Sequence, residues 1–325
     1  MQYVDFETGG TPASLVVNTQ APLSTPSTKV KVSVMSFGIN RADTLQRQGR
    51  YPAPQGESEI LGLEVAGVIA EVGENVTQLS VGDKVFGLVA GGGYATEVIV
   101  EPSHLMPIPD GMAFHEAAGL AEVFLTAFQC LRTLSHIKPA NHVLIHGGAS
   151  GVGLAALQLC RHWGVNTAVT ASNSSKLSQC QRNGAELLIN YKQQAFDEEI
   201  SKAWPDGVEM VLDMVGGDYL NRNLKVLKQD GRIVYLAMLG GRYADNLDMA
   251  QLLAKRATIS GTTLRNRSDV YKTALVDDFK ATCLPAFSTG ELVVNIDTHY
   301  SITDIAETHA RLEANDSMGK LVVSW

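Results

Sequence analysis

Cysteine is scarce: Cys130, Cys160, Cys180 and Cys283 are the only four in 325 residues. They form no Cys-x-x-Cys pair. That excludes a disulfide framework and a cysteine zinc knuckle, and fits small buried side chains in a reducing cytoplasm. Charge is also sparse, at 18%, and the formal balance is −8. Nucleic acid and anionic membranes are therefore poor partners. The opening residues MQYVDFETGG lack the basic start and apolar centre of a signal peptide. Residues 143–160 carry no formal charge but hold four glycines. They divide into a strand and a helix, which argues for a buried α/β unit over a membrane span. Internal repeats and low-complexity linkers are absent.

The first third is rich in strand signals. In KVKVSVMSF, Val30, Val32 and Val34 alternate with Lys29, Lys31 and Ser33, the period of a half-buried strand. LEVAGVIAEVGENV and GYATEVIVE extend the pattern towards a barrel or sandwich. From residue 143 onward strands alternate with helices. HVLIH, TAVTA, ELLIN, VEMVLDMV, GRIVYLAM and ATISGTT are the six expected strands. Such alternation predicts an α/β fold with a doubly wound parallel sheet. In the tail, GKLVVSW is expected to return as a strand to the first domain.

HGGASGVGLAALQL follows the first of the six strands and opens a helix. Gly148 and Gly153 take the first and third positions of a dinucleotide fingerprint. Ser150 holds the second, followed by Gly151 and Val152. The helix N-terminus favours a phosphate. An NAD enzyme carries an acid at the end of the second strand, for the ribose 2′-hydroxyl. Here AVTASNSSK has none. Ser172 and Lys176 suit a 2′-phosphate, which points to NADPH. Tyr191, after the third strand, is expected beside the adenosine half. Met214, Val215, Met238 and Gly240 end the fourth and fifth strands, where nicotinamide-ribose contacts are expected. Leu264, Arg265 and Asn266 follow the sixth strand; Leu264 and Asn266 are retained as cofactor contacts. His146 is expected to be structural.

Linked motifs then carry a resemblance over essentially the whole chain. GINRADTLQRQG (38–49), ILGLEVAGVIAEVG (60–73), VGDKVFGL (81–88), GGYATEV (92–98), EAAGLAEVFLTA (116–127), VLDMVGG (211–217) and GKLVV (319–323) stand in order around the phosphate loop. The chain resembles the medium-chain dehydrogenase/reductase superfamily in its quinone oxidoreductase, zeta-crystallin-like branch. Within it, the p53-inducible quinone oxidoreductase subgroup is most similar. The resemblance implies a GroES-like β-barrel domain from residues 1–118 and 267–325, and a Rossmann domain from 119–266. It also implies a homodimer. By resemblance Asn40 and Asp43 lie on the substrate side, with Asn40 a candidate for cofactor or acceptor carbonyl. Asp43 is a candidate for orienting its neighbours or capping a helix. Tyr51 is implied at the acceptor, and Thr126 near the nicotinamide.

Zinc-dependent relatives carry a cysteine near GINRAD and a Gly-His-Glu motif. This chain has no cysteine before Cys130 and reads Gly62-Leu63-Glu64, so no metal is expected. A simple ketone needs a Lewis acid to accept hydride. A quinone or activated enone spreads the incoming charge itself. The expectation is a zinc-independent NADPH:quinone oxidoreductase. The alternatives are an enoyl-thioester or alkenal reductase, and a weakly active NADPH-linked RNA-binding or redox-sensing protein.

Overall fold

In a computed structural model that describes residues 1–325, the chain forms two compact units, 1–125 with 264–325, and 126–263. The first unit is built on a seven-stranded sheet. Its longest strand, Val30–Ile39, pairs antiparallel with Glu64–Val72, with Glu97–Val100 and with Lys320–Ser324. Val30, Val32 and Val34 point into a core shared with Leu61, Val65 and Ile69. The facing lysine is not solvated as a half-buried strand would have it: Lys31 is buried, its ammonium 2.6 Å from Glu71 and 3.8 Å from Glu97. Residues 320–324 return to this unit as expected, parallel to Ile296–Ser301 on their other edge.

The second unit is a six-stranded, wholly parallel sheet. Its strands are His142–His146, Asn166–Ala171, Leu187–Asn190, Val208–Asp213, Leu227–Tyr235 and Thr258–Gly261. All six fall on the segments expected from sequence. Counted within the unit, their spatial order is 3-2-1-4-5-6, the doubly wound order of dinucleotide-binding folds. Both faces are covered by helices, so the strands carry near-continuous apolar runs. Val143, Leu144, Ile145, Val211 and Leu212 are fully buried.

The chain crosses between units at 125/126 and 263/264, against the expected 118/119 and 266/267. The helix Ala121–Phe128 spans the first crossing and continues as a π-helical stretch, Gln129–Leu134. At the second, Arg265 bonds to Ala90 and Gln46 of the first unit, so residues 264–266 leave the sheet. No helix is long and apolar enough to cross a membrane.

Candidate active site

In the second unit the glycine loop joins His142–His146 to the helix Gly151–His162. A Cβ at Gly148 would lie 2.8 Å from Val169 Cβ, and one at Gly153 2.5 Å from the Gly148 carbonyl oxygen. Side chains are therefore excluded where strand, loop and helix meet. Ser150 is the helix N-cap: its Oγ accepts from Gly153 N at 3.0 Å. Its hydroxyl oxygen closes the loop at the second fingerprint position. Gly151 and Val152 follow it as the first helical residues and are partly exposed; their N–H groups belong to the helix's open first turn. The loop thus has the two things a pyrophosphate needs, close backbone and outward donors.

At the neighbouring strand end, Ser172 follows Ala171. The helix Ser174–Arg182 is capped by Asn173, whose side chain accepts from Lys176 N at 2.9 Å. The cap of this helix is therefore Asn173. No acidic residue lies between Ala171 and Arg182. Tyr191 N donates to Ala171 O, and the Tyr191 side chain is largely exposed at the same sheet end.

Beneath these loops runs a buried chain that sequence reading missed. Asp213 closes the fourth strand; its Oδ1 accepts from Val215 N (2.6 Å) and Gly216 N (3.0 Å). Its Oδ2 accepts from Asn223 Nδ2 at 2.8 Å. This turns Asn223 Oδ1 towards His146 Nε2, 2.8 Å away, and His146 Nδ1 lies 3.0 Å from Thr170 Oγ1. The arrangement fixes the imidazole as the neutral Nε2–H form. Burial holds its pKa below the usual histidine range. His146 is thus a fully bonded structural residue that ties three strand ends to the 214–217 loop. That loop is in turn knitted to 238–241, with Gly240 N donating to Val215 O at 2.7 Å. Met238 is exposed there.

The first unit holds a second polar cluster. Glu64, fully buried, meets the Lys320 ammonium at 2.6 Å. Asn40 Nδ2 donates to Glu64 Oε1 (3.0 Å), while Asn40 Oδ1 accepts from Lys320 Nζ (2.8 Å). Glu122 N donates to Glu64 Oε2 at 2.9 Å. Gly38 is glycine because a Cβ would lie 2.2 Å from Glu64 Oε1. The amide of Asn40, 9% exposed, is thus engaged by protein on both sides. These bonds give Asn40 a positioning role within the cluster.

Asp43 sits in the first turn of the helix Arg41–Arg47, one turn before Gln46. Its Oδ2 accepts from Asn40 N (2.7 Å) and from the Tyr94 hydroxyl (3.0 Å); its Oδ1 is buried without a partner. The Tyr94 hydroxyl also lies 3.0 Å from His309 Nε2, and Arg47 donates to His309 Nδ1 at 3.2 Å. Burial pushes Asp43 up to about 6, and burial beside Arg47 pushes His309 down to about 3. Glu122 is pushed up to about 8, by burial and then by Glu64.

Tyr51 is half-buried, with the Arg265 guanidinium 5.7 Å from its ring centroid. Arg265, which follows the sixth strand, thus lies beside the residue implied at the acceptor. Leu264 is buried in the first unit and Asn266 is exposed. Thr126 is buried in the helix Ala121–Phe128.

These features define a dinucleotide-binding α/β protein with an attached β-rich unit. The family description "Zinc-binding dehydrogenase" matches residues 151–279, and "Alcohol dehydrogenase GroES-like domain" matches 26–110. A rat "Synaptic vesicle membrane protein VAT-1 homolog" is 30% identical over 310 residues, 91% of this chain and 76% of that protein. The chain belongs to the medium-chain dehydrogenase/reductase superfamily. A mycobacterial polyketide synthase, Pks15/1 of Mycobacterium marinum, is 38% identical over 74% of this chain. An orangutan (Pongo abelii) "Quinone oxidoreductase" is 26% identical over 98% of this chain and 95% of its own length. The chain spans 64% of the zebrafish VAT-1 homolog and 11% of that synthase.

Among solved structures, an Escherichia coli quinone oxidoreductase complexed with NADPH superimposes with TM-score 0.90, 25% identity and all of both chains covered. The CurK enoyl reductase superimposes with TM-score 0.87 and 28% identity, over 99% of this chain and 98% of that one. In this chain Leu63 is a buried apolar residue, and no group of three His, Cys, Asp or Glu is arranged to hold a metal.

Proposed function

We propose that the chain is an NADPH-dependent, zinc-independent reductase that passes a hydride to quinones or other activated carbonyl acceptors. The observation that carries the cofactor reading is the acid-free end of the strand Asn166–Ala171, with Ser172 beside it and Lys176 in the next helical turn. A carboxylate there would repel a 2′-phosphate; a hydroxyl and an ammonium attract it. Gly151 and Val152 N–H groups would hold the pyrophosphate, and Val215, Met238 and Gly240 would flank the nicotinamide ribose. When bound, NADPH supplies the hydride.

In the first unit Tyr51 would stack on the acceptor ring. Asp43, Asn40 and Lys320 hold the backbone around it in one arrangement. A hydroquinone anion is phenol-like, with a pKa of about 10, so water can protonate it and no dedicated acid is needed. Leu63 in the Gly-Leu-Glu segment supports the metal-free reading. All four cysteines are buried, and burial pushes Cys180 up to about 12; this disfavours redox sensing through thiols.

One experiment tests the reading. NADPH and NADH oxidation are followed side by side with 1,2-naphthoquinone, an enone and a short enoyl thioester. NADPH oxidation with the quinone is the expected result; none with any acceptor overturns the reading. Turnover of the enoyl thioester alone would establish the second reading, an enoyl-thioester reductase, which likeness to the CurK enzyme and the polyketide synthase favours.

A further inference from the structure

Arg265 is 6% exposed, and two of its three nitrogens are bonded. Nε donates to Ala90 O at 2.6 Å and NH1 to Gln46 Oε1 at 2.8 Å. Gln46 is itself fixed, its Nε2 donating to Glu59 O at 2.8 Å. The third nitrogen, NH2, is buried and has no partner. An unpaired donor on a buried cation is costly, because the water it gave up is not replaced. The Tyr51 ring offers it partial compensation, through a cation–π contact.

We propose that Arg265 NH2 receives the carbonyl oxygen of the acceptor, and that Tyr51 covers this subsite until the acceptor arrives. The inference rests on the reductase reading and narrows its substrate class. A guanidinium with all donors free clamps a carboxylate through two parallel bonds. Here Nε and NH1 are engaged, so the free end makes a point contact to one oxygen. The subsite therefore selects a neutral conjugated carbonyl, whose single oxygen gains charge during reaction, and disfavours a carboxylate.

In the step itself, a hydride supplied by NADPH, which would leave as NADP+, would form a C–H bond on the acceptor. The acceptor's displaced π pair comes to rest on the carbonyl oxygen. Arg265 stabilises that oxyanion without giving up a proton, and water then protonates it. Asp43 Oδ1, also buried without a partner in this unit, adds negative charge that holds the guanidinium in place.

The test needs no turnover. 4-Nitrophenol, whose anion resembles the product, is titrated against pH in the presence of the full-length protein while its phenolate absorbance is followed. In the wild type, bound 4-nitrophenol should ionise about one pH unit lower than free, a tenfold preference for the anion. Arg265→Met should abolish the shift, and Arg265→Lys should keep part of it. With 1,2-naphthoquinone, Arg265→Met should lower kcat/KM about 10²-fold and leave the KM for NADPH within about twofold.

The proposal falls if the wild type binds the phenol without a shift. It also falls if a normally melting Arg265→Met protein keeps both the shift and kcat/KM. Should Arg265→Met not fold, the wild-type and Arg265→Lys titrations still decide. A phenolate shift without NADPH oxidation would remove the reductase reading and leave the subsite. NADPH turnover without the shift would do the reverse.

Discussion

Lys176 stands in the first turn of the helix Ser174–Arg182, its backbone N–H held by Asn173. Removing its ammonium leaves that cap untouched. Lys176→Ala should therefore raise the KM for NADPH at least tenfold, the worth of one charged hydrogen bond at about 1.5–3 kcal/mol, and barely change that for NADH. Steady-state kinetics with both cofactors check this. Asn223 is a different case, because it bonds to His146 on one side and Asp213 on the other. Asn223→Ala leaves both buried partners short of a bond and should cost about 2–4 kcal/mol of stability, read from urea unfolding. Local sequence could not show either partnership. His146 and Asn223 are 77 positions apart, and Asn40 meets Lys320 across 280. Polar residues joined over such distances look like separate surface residues in a linear reading. The same holds for Arg265, whose bonds to Gln46 and Ala90 give no local pattern.

The six strands of the second unit were legible because each is an apolar run between turn signals, and burial on both faces leaves little room for other residues. The glycine loop was legible too, since its spacing follows from backbone contact. Gly153 shows how tightly. A Cβ there would meet two carbonyl oxygens, of Gly148 and Gly147, at 2.5 and 2.6 Å. Gly153→Ala must push the helix Gly151–His162 away from the loop. It should weaken NADPH binding at least tenfold, as measured by fluorescence titration, with the far-ultraviolet dichroism retained. Other elements left weaker traces. The π-helical stretch Gln129–Leu134 keeps an amphipathic helical pattern, so its change of pitch is invisible in the sequence. Lys31 reads as a solvated strand residue because its partners Glu71 and Glu97 lie on other strands.

At the scale of the whole chain, opposed titrations shape stability. Folded Glu122, pushed up to about 8, keeps a proton that the unfolded chain loses near 4.5. Its contribution therefore weakens as pH rises between those values. Asp43 acts likewise up to about 6. His309, pushed down to about 3, refuses a proton that the unfolded chain takes near 6.5, so stability also falls as pH drops through that window. Glu122→Gln should flatten the loss towards pH 8, and His309→Gln the loss towards pH 3, in urea midpoints measured across pH. Assembly belongs to this scale as well. Thr258–Gly261 is one of the two edges of the parallel sheet, and Ile259, Leu253 and Met249 are exposed on or near it. An uncovered edge of this kind invites pairing, and we propose that a second copy covers it. Ile259→Lys should then give a monomer in sedimentation equilibrium; an unchanged mass would refute that dimer.

The strand Lys320–Ser324 lies inside its sheet, with neighbours on both edges, and it also delivers the ammonium that neutralises Glu64. During synthesis the ribosome makes residues 126–263 long before this strand. The second unit has all six of its strands while the first still lacks an interior one, and Glu64 waits without its counter-ion. The first unit is therefore the last to be sealed, and until then it presents an open seam beside Val30–Ile39 to chaperones and to other nascent chains.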